Sequence, residues 1–63
     1  MNEQQRLEVY DHLREAHKHV KAIWDKYLTR LSANDEMAVD AVDNVLYLAE
    51  GVFAVPPVMK IKF

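Results

Sequence analysis

The chain has no cysteine, one glycine and two prolines in 63 residues. Without cysteine there is no disulfide frame and no thiolate metal site. One glycine leaves no room for a glycine-rich phosphate loop or a dinucleotide fingerprint. The apolar runs are too short to cross a bilayer, and no charged-then-apolar leader opens the sequence. Charge of one sign is lacking as well: eight Lys and Arg stand against ten Asp and Glu, a formal −2, which argues against a nucleic-acid partner. The hydrophobic share of 51% and the single glycine argue against intrinsic disorder.

What is present reads as helix. From about Gln4 to Leu31 there is no Gly or Pro, and good helix formers dominate. Tyr10, Leu13, His17, Val20, Trp24, Tyr27 and Leu31 recur at spacings of three and four, a heptad-like seam along one long amphipathic helix. Ser32 followed by Asp35 has the form of a capping box. It predicts a sharp turn and a second helix from about residue 33 to Glu50, with Gly51 as a left-handed terminator.

The second helix carries its polar residues, Glu36, Asp40, Asp43, Asn44, Tyr47 and Glu50, on an arc of about 120°. The rest of its circumference is apolar, more than one neighbouring helix can cover. After it comes an apolar arm, residues 52–63, in which Met59, Ile61 and Phe63 alternate with Lys60 and Lys62. That is the period of a strand. The arm is expected either to pair with its symmetry mate or to lie along the overhang of the first helix.

The expected architecture is therefore all-α: an antiparallel helical hairpin, residues 1–63 as one domain, with an extended or β-like C-terminal arm. A chain this short buries too little surface to be comfortable alone. Two copies are expected to form a four-helix-type homodimer. Its interface is read as Leu13, His17, Val20, Trp24, Tyr27, Val39, Val42, Val45, Leu46, Ala49, Ile61 and Phe63.

Chemistry-bearing residues are sparse. Ser32 is the single serine and reads as a cap; Thr29 lies on a polar face. No nucleophile, base and orienting group fall on one helix face, so no enzyme is expected. Glu8, His12, Glu15 and His19 share a stripe, but His12 and His19 are two turns apart, about 10 Å, too far to share an ion. Neither metal nor cofactor is expected. His17 lies within the seam, where a polar residue can fix register. Were two copies to face each other across a dimer axis, protonation near pH 6 would drive them apart.

Charge is divided by segment: net +1 over residues 1–30, −5 over the second helix, and +2 from Lys60 and Lys62. The acidic arc, Glu36, Asp40, Asp43, Tyr47 and Glu50, is either an ordinary solvated face or a docking surface for a basic protein. The function expected is a small cytoplasmic interaction module, regulatory or inhibitory, of the kind phages use as accessory proteins. The alternative is a structural subunit that docks by its arm. A weaker reading is nucleic-acid binding through Arg14, Lys18, Lys21 and Lys26.

Overall fold

The computed structural model describes residues 1–61; Lys62 and Phe63, including the interface expectation at Phe63, lie outside the described residues. Two helices form an antiparallel hairpin. α1 spans Glu3–Tyr27, a single 3-10 turn covers Leu28–Arg30, and α2 spans Ala33–Phe53. Among the described residues there is no strand.

Each helix starts on a reciprocal cap. Ser32 Oγ accepts from Asp35 N at 3.1 Å and Asp35 Oδ2 accepts from Ser32 N at 3.2 Å, as the sequence pattern implies. At α1 the same device is built from Asn2 and Gln5, with bonds of 2.8 and 2.9 Å. Two orphan backbone donors are satisfied at each helix start. Leu31, extended at φ −82° and ψ 134°, then redirects the chain into the Ser32 cap.

The end of α2 corrects the reading of Gly51. No glycine has positive φ, and α2 runs through Gly51 to Phe53. Gly51 is buried because the chain folds back over it. Its carbonyl accepts from Val58 N at 3.0 Å and Met59 N at 3.2 Å. A Cβ at this position would lie 2.8 Å from Met59 Cβ. The absence of a side chain buys close approach here rather than a left-handed turn. The same end is fastened to α1: the Arg6 guanidinium donates to the Val52 carbonyl and sits 5.0 Å from the Phe53 ring centroid. A cation thus meets the carbonyl end of α2, where the helix dipole favours it.

The two helices meet along a single line. Leu13, Ala16, His17 and Trp24 of α1 are partly shielded from solvent beside buried Val20, as are Val39, Asp43, Leu46, Ala49 and Glu50 of α2. Val20 is the one buried apolar side chain among the described residues. The molecule measures 42 × 24 × 14 Å, so it is one helical layer thick.

Gly51→Ala should keep α2 helical but lift the returning segment. Amide exchange at Val58 and Met59 is expected to accelerate by at least tenfold while far-UV helicity is retained. Unchanged protection at both amides would show that the close approach is not what holds the segment.

Candidate functional site

The concentration of polar chemistry lies where α1 and α2 face each other near their middle. His17 sits in the α1 seam one turn before Val20, and Asp43 and Glu50 stand two turns apart on the facing side of α2. The antiparallel pairing drives the imidazole between the two carboxylates. Nε2 lies 2.5 Å from Asp43 Oδ1, and Nδ1 lies 3.1 Å from Glu50 Oε1 and 3.3 Å from Oε2. Side-chain exposure is 28% for His17, 35% for Asp43 and 17% for Glu50, so the bridge is half-buried and water reaches one side. The hydrogen bond to Glu50 is the main influence raising the His17 pKa above its ordinary 6.5; partial desolvation opposes it, and the bond to Asp43 adds to the rise.

One flank of this bridge is basic. Tyr10, Arg14, Lys18 and Lys21 of α1 line a shallow cleft together with His17 and Glu50. Arg14 lies 5.9 Å from the Tyr10 ring centroid, and Lys18 pairs loosely with Glu15 at 3.5 Å. Beyond Glu50 a second hollow, lined by Tyr10, Tyr47, Gly51, Ala54, Val58 and Met59, is walled by the returning segment. Among the described residues no group of three or more His, Asp or Glu is arranged to hold a metal ion. At the His17 cluster the reason is direct: the two carboxylates bind opposite nitrogens of one ring and do not converge on a common point.

The residues expected to form an outward acidic arc separate into two sets. Asp43 and Glu50 turn toward α1 and are engaged by His17; Glu36, Asp40 and Tyr47 are exposed. The residues expected at a dimer interface divide similarly. Leu13, His17, Val20, Trp24, Val39, Leu46 and Ala49 pack within the hairpin, whereas Tyr27, Val42, Val45 and Ile61 are exposed. Sequence reasoning missed Arg6, whose hydrogen-bond partner Val52 lies 46 residues away, and the His17 bridge, whose acids follow it by 26 and 33 residues. A signal did exist for the bridge: His17 on the seam, and acids seven residues apart at the border of the α2 polar arc.

No family model, curated protein or solved structure matches this chain. No helix among the described residues is long and apolar enough to cross a membrane.

Replacing either carboxylate by its amide should lower the His17 pKa, and Glu50→Gln should lower it more than Asp43→Asn. Ring-proton NMR titration of the two variants measures the order directly. Each variant should also lose on the order of 1 kcal/mol of stability at pH 6, since a charge-assisted hydrogen bond is replaced by a neutral one in a partly solvated place.

Proposed function

We propose that this chain is a small non-catalytic protein-interaction module that works as a homodimer, two hairpins stacked into a four-helix-type bundle. The observation that carries this reading is the amount of apolar surface the hairpin leaves uncovered. Met37 is 73% and Val45 63% exposed, and Tyr27, Leu28, Val42 and Leu48 are exposed with them. A folded monomer of 7.4 kDa has about 4,200 Å² of accessible surface; this one has 5,220 Å². The excess, roughly 1,000 Å², matches one side of a standard interface, about 800 Å². The radius of gyration tells the same story, 13.7 Å against about 11 Å for a close-packed domain of this length.

The occupant of the apolar face is a second copy. Helical phase puts Ile23 and Tyr27 of α1 on the same side of the plate as Ala38, Val42 and Val45 of α2, opposite the side that carries Arg14, Lys18 and the His17 bridge. The acids Glu36, Asp40, Asp43 and Glu50 lie away from that apolar side. Two such faces can meet about a two-fold axis without bringing like charges together. A domain also needs two packed layers, and a second hairpin supplies the missing one.

Glu36, Asp40 and Tyr47 then remain on the outer surface, available to a basic protein partner. A catalytic role finds little support, because both nitrogens of His17 are occupied by carboxylates and no nucleophile stands beside it. A cytoplasmic setting suits a chain that makes no use of cysteine. The alternative is a structural subunit that docks by its C-terminal arm. Exposed Val58 and Ile61 favour it, and the backbone anchoring at Gly51 favours an arm that belongs to the hairpin.

Sedimentation equilibrium tests the dimer. The native chain is expected near twice its 7.4 kDa mass at micromolar concentration, and Val45→Glu should weaken association at least a hundredfold by burying an unpaired charge. A native chain that stays monomeric and folded at 100 µM would end this reading. For the outer surface, Asp40→Lys with Glu36→Lys should abolish capture of a basic partner while the dimer persists. For the arm, loss of residues 56–63 should leave the dimer intact if the arm is a docking element, and unfold it if the arm is core.

A further inference from the structure

The geometry of the His17 bridge points to a further property, independent of the assembly proposed above. An ionised carboxylate only accepts hydrogen bonds, and a neutral imidazole has one N–H and one lone pair. His17 faces a carboxylate oxygen at each ring nitrogen, at 2.5 Å and 3.1 Å. A neutral ring would set its lone pair against one of those oxygens; only the imidazolium donates to both. We propose that the bridge is a pH-responsive clamp between the two helices: the protonated ring pins α1 to α2, and loss of its proton releases one carboxylate and loosens the hairpin.

The surroundings fit a clamp that keeps its proton above the ordinary histidine value. From α2 the ring faces Asp43 and Glu50. From α1 the neighbours lining the same cleft are Tyr10, Arg14, Lys18 and Lys21. The three cations oppose protonation. They act from the solvent-facing rim, where water and salt screen them, whereas the two acids are in direct contact. From the returning segment come Ala54, Val58 and Met59 beside Glu50, none of them titratable. The direct contacts dominate, and the ring is held protonated beyond its ordinary range.

The sign follows from linkage. A group whose pKa is higher in the folded chain stabilises it fully below the unfolded value, here about 6.5. That contribution is lost as pH rises through the raised folded value. The hairpin is therefore strongest in mild acid and weakens as pH climbs above the ordinary histidine value. The sequence-based expectation for His17 held only for two copies facing each other, with protonation driving them apart; within one hairpin the sign is the opposite. The ring is met at each nitrogen by an acid of its own chain, so its proton attracts.

The experiment is chemical denaturation of the intact chain at pH 5.5, 6.5, 7.5 and 8.5, at one fixed protein concentration, beside His17→Gln. The native midpoint is expected to fall as pH rises. Between the two pKa values the unfolding constant should grow by up to about tenfold per pH unit. In His17→Gln that dependence should vanish. A native chain with a flat or rising midpoint overturns the clamp, as does an equal slope in the variant. A ring-resolved NMR titration of the native chain needs no variant to fold: at pH 6 both His17 nitrogens should carry protons, with the midpoint above 6.5. A midpoint at or below 6.5 overturns the proposal.

Discussion

A hairpin of two helices offers one line of contact, and everything else in this molecule is arranged around that scarcity. Burial is what offsets the conformational entropy lost on folding. Here one apolar side chain among the described residues, Val20, is buried. The deficit is met partly by local devices that need no core: reciprocal caps at both helix starts, Arg6 spanning from α1 to the end of α2, and the returning segment held on the Gly51 carbonyl. The His17 bridge belongs to the same group. It places a polar cross-link in the seam, where a larger protein would have another aliphatic contact.

A polar cross-link makes a different kind of contribution from an aliphatic one. Its strength depends on protonation and on the exact partners, and it fixes register, since a shift of one residue along α2 would carry Asp43 and Glu50 away from the ring. Apolar contacts between two helices are non-directional and tolerate small slides. The histidine between two carboxylates does not. The seam thus divides its work, apolar residues giving the attraction and His17 the alignment.

Much of this was legible in the sequence, for identifiable reasons. The hairpin follows from seam spacing and from Ser32 with Asp35, signals that act over three or four residues. The surplus of apolar circumference on α2 was also visible as a local pattern, and in the structure it remains as exposed Met37, Val42, Val45 and Leu48. The features that escaped depend on contacts across the fold. Gly51 looked like a helix terminator because nothing nearby in sequence reveals that Met59 returns to cover it. Arg6 meets Val52 and Phe53 only through the fold, and Asp43 and Glu50, placed by the sequence on an outward acidic arc, turn toward His17 only once α1 packs against α2. The Asn2–Gln5 cap is fully local, and its reciprocal bonds repeat the Ser32–Asp35 pattern with amide side chains in place of hydroxyl and carboxylate.

A thin plate with one narrow seam has few places where folding is vulnerable. Substitutions along the outer surfaces of α1 and α2 should be nearly silent for the isolated hairpin, since they disturb no packed neighbour. The stability of the isolated hairpin is therefore concentrated in a short line of seam residues, the two caps, and the ring held between two acids.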